Sequence, residues 1–213
     1  SGNVDYDANY IVNEQGRQDH VANTMPSPYY RFDGTNDVVT LDSLAAVLVD
    51  TSNIKGSILW RGDIQTRTTG DVLFSFGDTS ANEMLMADLS SNSIRVLLRV
   101  AGTTQWSFTT DDTYSADTEL CLVLVQDGTA PILYINGVLQ AITRSDETDN
   151  TAWFDVLTGV DNGRIAARSI SGAGNAEVLA CSVNSFHSWN HALTAPEVKE
   201  LYSGASVPFK YKG

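Results

Sequence analysis

Cysteine is almost absent from this chain, whose 213 residues include only Cys121 and Cys181. Both lie in apolar runs, residues 120–125 and 178–183, so the sequence predicts two buried thiols that pack as small hydrophobic side chains. A single bridge between strands is the alternative, because a sequence carries no geometry. So few cysteines exclude a small secreted domain that depends on disulfides for its stability.

Basic residues are scarce as well. Thirteen Lys and Arg stand against 26 Asp and Glu, which gives a formal net charge of −13 at pH 7. An acidic surface repels phosphate, so we expect neither a nucleic-acid partner nor binding to an anionic membrane surface. No apolar run approaches the roughly 20 residues that span a bilayer, so no membrane insertion is predicted.

Motifs that carry catalysis are missing. Retaining glycoside hydrolases of the jelly-roll type place two carboxylates about 5 Å apart on one face of a strand. The nearest acidic pair here, Glu83 and Asp88, has an odd spacing that puts the two side chains on opposite faces. There is no Gly-x-Ser-x-Gly turn and no His-Glu-x-x-His helix. His187 is predicted to be a half-buried strand residue, and the chain is predicted not to be an enzyme.

Short segments of alternating apolar and polar residues dominate what is present. About a dozen such segments with turn residues between them predict an all-β antiparallel sandwich. Residues 119–126 are apolar almost throughout, which predicts a central strand covered on both faces. Asn136-Gly137 predicts a type I′ hairpin between strands at 132–135 and 138–142. Residues 29–41 are predicted to form a second hairpin, 43–50 a helical turn or covered loop, and 143–162 a long rim loop.

The last part of the chain predicts one short helix. Thr194 precedes Glu197 by three residues, which is the spacing of an N-terminal capping box, and Pro196 suits the first helical turn. Gly204 is a typical residue after a helix end. The sequence divides into an N-terminal arm at 1–27, one jelly-roll domain at 28–204, and a C-terminal extension at 205–213 that leads into a following segment.

Four segments resemble laminin-G-like domains, which belong to the concanavalin A-like jelly rolls. They are residues 32–37 (Phe-Asp-Gly-Thr-Asn-Asp), the apolar strand followed by Asp127-Gly128, residues 133–138 (Leu-Tyr-Ile-Asn-Gly-Val), and the closing stretch 189–202. The resemblance implies two curved antiparallel sheets of about six or seven strands each. Domains of this family bind ligands far more often than they catalyse reactions, so the resemblance also implies a binding function.

A narrower resemblance concerns the source of the chain. Residues 29–37 and 204–212 resemble segments of bacteriophage structural proteins, in which such modules occur in tail fibres, receptor-binding proteins and capsid decorations. The resemblance implies a virion surface location, or an extracellular one for a cellular protein, and by analogy with fibres a homotrimer. We expect a non-catalytic lectin-like adhesion module that recognises cell-surface glycan. The alternatives are a purely structural module that contacts other virion proteins and, more distantly, a glycan-active enzyme.

The resemblance further implies calcium on the rim of the sandwich, because such ions take hard oxygen ligands. Two groups of residues could supply those ligands. Asp33, Asn36 and Asp37 share a tight turn, and the favoured alternative is that Asp33 and Asp37 stabilise this turn through backbone hydrogen bonds. The second group lies in an acidic loop whose alternative interpretation is a solvated charge run. Its members are Asp146, Glu147, Asp149, Asp155 and Asp161, of which Asp155 and Asp161 are the predicted ligands.

Aromatic side chains are the candidate contacts for a glycan, because sugar rings stack their C–H faces on Trp and Tyr. Trp106, Tyr114 and Trp153 lie in or beside polar loops and are predicted to form such a platform. The alternative for Trp106 and Trp153 is burial under those loops. Trp60 and Trp189 lie in alternating strands and are predicted to be core residues.

Overall fold

The computed structural model describes residues 29–50, 52–78, 80, 82–169 and 174–203. The predicted arm at 1–27 and the extension at 205–213 lie outside these residues. The helices are α1 (Asp42–Leu48) and α2 (Ala195–Ser203), with a 3-10 turn at Phe154–Val156. The strands are β1 (Tyr30–Asp33), β2 (Val39–Thr40), β3 (Gly56–Ile64), β4 (Val72–Gly77), β5 (Met84–Ser90), β6 (Ser93–Val100), β7 (Thr103–Thr110), β8 (Glu119–Gln126), β9 (Pro131–Ile135), β10 (Val138–Leu139), β11 (Ile142–Glu147), β12 (Asn162–Ile165), β13 (Arg168–Ser169), β14 (Asn175–Ala176) and β15 (Ala180–Trp189).

Two antiparallel sheets are stacked face to face. One has six strands in the order β10-β9-β8-β3-β15-β1, and the other has seven in the order β11-β7-β6-β5-β4-β12-β2. The small ribbon β13-β14 stands apart from both. This architecture, with one short C-terminal helix, confirms the predicted antiparallel jelly-roll sandwich.

Alternating side chains explain why the layers stack. Along β6, Ile94, Val96 and Leu98 are fully buried between the sheets. Their neighbours Arg95 and Arg99 are half-buried and therefore belong to the outer face. Each apolar side chain moved fully from water into this core stabilises the fold by about 1.5–3 kcal/mol.

Strand β8 is covered on both faces, as its apolar sequence predicts. Leu122 and Leu124 lie in the main core, whereas Val123 and Val125 lie in a second cluster on the outer side of the six-stranded sheet. Helix α2 supplies Val198 to that second cluster. The helix begins directly after Thr194. The predicted capping pair forms, since the backbone N–H and the hydroxyl of Thr194 donate to Glu197 Oε2 at 2.9 and 2.6 Å.

The prediction of a hairpin at residues 29–41 is wrong. β1 pairs with β15 in the six-stranded sheet, and β2 pairs with β12 in the seven-stranded sheet. The turn between them crosses from one layer to the other, and Gly34 makes the crossing possible. Its φ is +79°, and a Cβ there would lie 2.9 Å from Cβ of Ala180. Alternation identified both strands, but it cannot tell which sheet a strand joins.

The predicted rim loop at 143–162 is wrong at its beginning. Strand β11 runs to Glu147 and pairs with β7, although most of its side chains are exposed. An edge strand with polar side chains carries no hydrophobic pattern, so its backbone pairing is invisible in the sequence. Residues 43–50 contain helix α1, and Asn136 and Gly137 have the positive φ values, +53° and +77°, of the predicted hairpin. In the part of the chain described here, no helix is long and apolar enough to cross a bilayer.

Candidate functional site

The predicted aromatic platform is wrong for its two tryptophans. Trp106 and Trp153 are 0% and 1% exposed, and their rings stack on each other 6.5 Å apart. The indole N–H of Trp106 donates to the carbonyl of Ala152 at 2.9 Å, so the polar atom needs no solvent. The loop that carries Trp153 folds back between the sheets and closes one end of the core, which sequence polarity does not reveal.

Tyr114 is the member of the predicted platform that retains solvent contact. It is half-buried, and its hydroxyl donates to Gln140 Oε1 at 2.6 Å. Desolvation by this burial raises the pKa of the phenol. Because both tryptophans are buried, the three residues form no exposed platform, and a role for Tyr114 in glycan binding stays a prediction.

The predicted calcium ligands Asp33, Asn36 and Asp37 stabilise a turn. Asp33 Oδ1 accepts the backbone N–H of Thr35 at 2.8 Å and that of Asn36 at 3.4 Å. Asp37 Oδ2 accepts the backbone N–H of Asp33 at 3.1 Å. The turn offers two carboxylates and one amide side chain, so a calcium ion here would need backbone carbonyls or waters to complete its six to eight oxygen ligands.

Of the other predicted ligands, Asp161 lies far from that turn, and Asp155 lies in the 3-10 turn Phe154–Val156. Asp161 bonds to Gly77 at the end of β4, whereas Asp33 pairs with Ala180, close to the start of β4. The two ends of β4, Val72 and Gly77, are five residue steps apart, which is roughly 17 Å along a strand. The five residues therefore do not assemble one ion site, and the described residues contain no group of three or more His, Cys, Asp or Glu suited to a metal.

The rest of the acidic loop makes local polar contacts. Asp146 accepts the Ser107 hydroxyl at 2.6 Å, and Asp149 accepts the backbone N–H and the hydroxyl of Thr151 at 2.9 and 2.7 Å. Glu147 pairs with Arg144 at 3.6 Å. These exposed carboxylates fit the interpretation of a solvated loop.

The two buried carboxylates serve different structural roles. Glu83 accepts the backbone N–H groups of Ala101 and Thr158 at 2.7 and 3.1 Å, so it ties two loops to the start of β5. Asp88 pairs with Arg95, whose Nε donates to Asp88 Oδ1 at 2.9 Å. Burial raises the pKa of Asp88, and the hydrogen bond and charge of Arg95 partly offset that rise. Neither acid has the other as a partner for acid–base chemistry.

The outer side of the seven-stranded sheet carries a concentration of arginines that the predicted sites did not include. We call it the arginine face. It contains four of the chain's 13 Lys and Arg residues. They are Arg95 and Arg99 on β6, Arg164 on β12 and Arg168 on β13.

Strand register shows that these arginines surround an apolar centre. Met86 lies directly opposite Leu97, and with Met84 the two form a small buried cluster. Arg95 and Arg99 flank Leu97 at two residues on either side along β6. Since alternate residues share a face, both guanidinium groups border the same apolar patch.

The arginines of this face are held by neighbours. Arg168 donates to Glu177 Oε1 at 2.7 Å and lies 3.8 Å from the sulfur of Met84. Arg164 Nε donates to Asn175 Oδ1 at 3.0 Å. Fixed guanidinium groups are suited to bidentate recognition of a carboxylate, because less side-chain entropy is lost when the ligand binds.

Hydroxyl side chains extend the arginine face towards β11. Thr109 on β7 lies opposite both Arg95 and Thr143, so the three form one row across neighbouring strands. Ser107 lies opposite Leu97 in the next row. An array of guanidinium and hydroxyl groups offers polar contacts to a sugar, and the apolar side chains of Met84, Met86 and Leu97 are buried beneath it.

A groove lies at one edge of the sandwich, apart from the arginine face. This edge groove has a volume of about 560 Å³. It is lined by Tyr30, Phe32, Val39, Leu41, Leu44, Ile165 and residues 183–188. His187 is exposed on β15, not half-buried as predicted, and its ring stacks on Trp189 at 5.6 Å.

The sequence contained a signal for the arginine face but none for the edge groove. Arg95 and Arg99 lie on the same face of their strand, and every residue on the opposite face of that strand is apolar. This alternation indicates a charged outer face. The groove depends on β1 and β2 joining different sheets. That arrangement is a property of the assembled layers and not of any segment.

No protein-family model matches the chain, and no curated protein sequence matches it significantly. Solved structures do share its fold. The CBM40 of the Ruminococcus gnavus IT-sialidase, bound to alpha2,3 sialyllactose, is 16% identical with a TM-score of 0.68. The match covers 82% of this chain and 96% of that chain.

Two whole sialidases contain a similar domain. The NanB sialidase of Streptococcus pneumoniae is 17% identical with a TM-score of 0.66, and the match covers 82% of this chain and 27% of that one. The leech intramolecular trans-sialidase is 18% identical with a TM-score of 0.65, and the match covers 85% of this chain and 29% of that one. At such low identity the likeness establishes the jelly-roll fold alone.

Proposed function

We propose that this chain is a non-catalytic carbohydrate-binding module and that the arginine face binds a glycan bearing a carboxylate. The arginine face itself carries the proposal, because it gathers four arginines, and ion pairs with Asp88, Asp42 and Glu177 fix three of the guanidinium groups. The fold adds support, since a similar jelly roll is solved with alpha2,3 sialyllactose bound. Sialic acid carries a carboxylate, which is the group that arginine recognises best.

Arg95 is the central residue of this proposal. Its side chain is 40% exposed, whereas that of its partner Asp88 is 1% exposed. Asp88 therefore holds the guanidinium from the protein side through Nε and Nη2. An incoming carboxylate meets a guanidinium that is already oriented and whose Nη1 is not used by this pair. The neighbouring Thr109 hydroxyl is placed to contact the sugar beside it.

Calorimetric titration with 3′-sialyllactose and with lactose tests the proposal. We expect binding of sialyllactose, and binding of lactose at least about tenfold weaker, or about 1.4 kcal/mol, because lactose lacks the carboxylate. The variant Arg95→Lys keeps the charge but loses the planar fork, so its affinity for sialyllactose should fall by about tenfold or more.

Arg61→Lys is the matched control. Arg61 also pairs with a carboxylate, Glu119 at 3.1 Å, but it lies on the six-stranded sheet. Its affinity for sialyllactose should equal that of the parent chain. Equal affinities for the two sugars, or an unaffected Arg95→Lys, would contradict binding at the arginine face. A blank array of acidic and neutral glycans would contradict carbohydrate binding altogether and favour the purely structural alternative.

Placement on a virion surface is a further part of this proposal. Its support is the resemblance of residues 29–37 and 204–212 to bacteriophage structural proteins, which also underlies the proposed homotrimer. The structural neighbours described above are bacterial and leech proteins and lend this part no weight. Light scattering after size-exclusion chromatography tests it, since a monomeric mass would contradict the trimer.

A further inference from the structure

The arginine face presents arginines at two positions along strand β6. Arg95 and Arg99 lie on the same face of the strand and are four residues apart, which corresponds to about 13 Å between their Cα atoms. Leu97, the residue of this face between them, is buried. A ligand that contacts Arg95 alone therefore leaves the second position unused.

Two arginines share a neighbour at the second position. Arg99 lies directly opposite Met84 on β5, and Arg168 Nη1 lies 3.8 Å from the sulfur of the same methionine. Arg168 Nη2 donates to Glu177 Oε1 at 2.7 Å, so this guanidinium is held in place. The face thus offers two separate places at which a guanidinium can receive a carboxylate.

Hydroxyl side chains follow the same line on the neighbouring strand β7. Residues 95, 97 and 99 of β6 each have a hydroxyl-bearing residue directly opposite. In the same order these partners are Thr109, Ser107 and Thr104. Because hydroxyl groups can donate and accept, a row of them parallel to β6 offers hydrogen bonds to successive sugars of a chain that lies along the strand.

Acidic residues are missing from these two strands. β6 and β7 together contain no Asp or Glu, although the chain has 26 of them. The carboxylate of Asp88 on β5 is buried and paired with Arg95, and that of Asp146 on β11 accepts the Ser107 hydroxyl at 2.6 Å. A ligand with several negative charges thus meets little repulsion from the strands that it would follow.

We propose that the arginine face binds an oligosialyl glycan that lies along β6, with one carboxylate at Arg95 and another at Arg99 and Arg168. This inference rests on the proposed glycan-binding function and narrows its ligand, since a single terminal sialic acid would occupy one of the two positions. Once the first carboxylate is bound, the second is held near its site at a high effective concentration and increases the affinity.

Calorimetric titration of the full chain with three sugars tests this proposal. They are 3′-sialyllactose and its forms with one and with two further α2,8-linked sialic acids. We expect at least one of the longer sugars to bind about tenfold more tightly than 3′-sialyllactose, or better. A net charge of −13 repels every added carboxylate, so non-specific electrostatics predict the opposite trend.

Arg99→Lys is the variant that separates the two positions. It keeps the charge but loses the planar fork that receives a carboxylate at two points. The ratio of oligosialyl to 3′-sialyllactose affinity should therefore fall to near one. Arg168→Lys should reduce the same ratio, and melting curves show whether each variant is folded. Arg61→Lys, on the six-stranded sheet, is the matched control and should keep the parent ratio.

The outcomes distinguish this inference from the proposed function. Equal affinities of the parent chain for the three sugars would overturn the inference, and so would a ratio that neither Arg99→Lys nor Arg168→Lys reduces. In both cases, binding of 3′-sialyllactose that Arg95→Lys weakens would leave the proposed function standing. Absence of binding to all three sugars would overturn the proposed function and the inference together.

Discussion

Cys181 illustrates how burial alone can make a thiol unreactive. It lies in the main core, opposite Phe32 on β1, and is 0% exposed. Desolvation, with a contribution from the negative charge of Asp63, raises the pKa of its thiol from 9.0 to about 12. Burial also raises the pKa of Cys121. Thiols of this kind are inert, because the thiolate is the nucleophile.

We predict that the Cys181 thiol makes the free energy of unfolding depend on pH above pH 9. Unfolded Cys181 ionises near 9.0, whereas in the folded state it keeps its proton until about pH 12. The stabilisation is complete below pH 9 and is lost as pH rises towards 12, with a slope of at most about 1.4 kcal/mol per pH unit. Denaturant titrations across this range measure it.

Cys181→Ala is the comparison variant, because all other titrating groups are shared and cancel in the difference. Its free energy of unfolding should fall less steeply with pH than that of the parent chain. An aromatic disulfide reagent near pH 8 should label neither thiol in the folded chain and both thiols in denaturant. Identical pH slopes, or rapid labelling of the folded chain, would contradict the assigned burial.

Trp153 shows what sequence cannot supply for a single residue. Its neighbours Thr151 and Asp155 are polar, which suggests a surface loop, yet the indole lies against Phe154 and Trp106 in the core. Large aromatic side chains bury most of their area in folded proteins, and for Trp153 this tendency outweighs the polarity of its neighbours in the sequence. The thiols were predicted correctly because their own neighbours along the chain are apolar.

Among the elements, helix α2 is held by a cap and by an apolar face. Thr194 and Glu197 form the cap, and Val198 covers the outer side of the six-stranded sheet. We predict that Thr194→Ala lowers the free energy of unfolding, because the Glu197 carboxylate loses the hydroxyl that donates to it at the start of the helix. Urea denaturation measures this change, and Thr113→Ala in an exposed loop is the control.

The difference in the free energy of unfolding between the parent chain and Thr194→Ala should also depend on pH. Hydrogen bonds from Thr194 lower the pKa of Glu197 below its usual 4.5. The stabilisation is present above pH 4.5 and is lost as pH falls through the lowered pKa. The free energies of unfolding of the parent chain and of Thr194→Ala should therefore converge in acid. A difference that persists unchanged at low pH would mean that the helix depends on Thr194 for another reason.

Elements were predicted where a local pattern determines them. The hairpin at Asn136-Gly137 and the cap of α2 depend on a few neighbouring residues. Strand β8 depends on an uninterrupted apolar run. Strand β11 and the partners of β1 and β2 were not predicted, because backbone hydrogen bonds to distant strands determine them. The candidate site has the same origin, since Arg168 comes to the same side of the sheet as Arg95 only after strand β13 has packed beside β4.

At the scale of the whole molecule, charge opposes compactness. With a net charge of −13 on one sandwich, the negative side chains repel one another and destabilise the folded state, and salt screens that repulsion. Exposed ion pairs weaken in salt too, but each contributes only about 0–1 kcal/mol. We therefore predict that raising NaCl from about 10 mM to about 150 mM increases the melting temperature, as measured by calorimetry. A decrease would show that the ion pairs outweigh the repulsion.

Calcium adds a test of the turn at Asp33, Asn36 and Asp37. At equal ionic strength, CaCl2 and NaCl screen charge similarly, so only bound calcium raises the melting temperature further. We predict such an increase, and Asp37→Asn should abolish it. Asp127→Asn is matched in charge and also lies in a turn, where Asp127 Oδ1 accepts the backbone N–H of Thr129 at 2.8 Å. Equal melting temperatures in the two salts would mean that the turn is held by its own hydrogen bonds and binds no calcium, because ligands that bind the folded state alone must stabilise it.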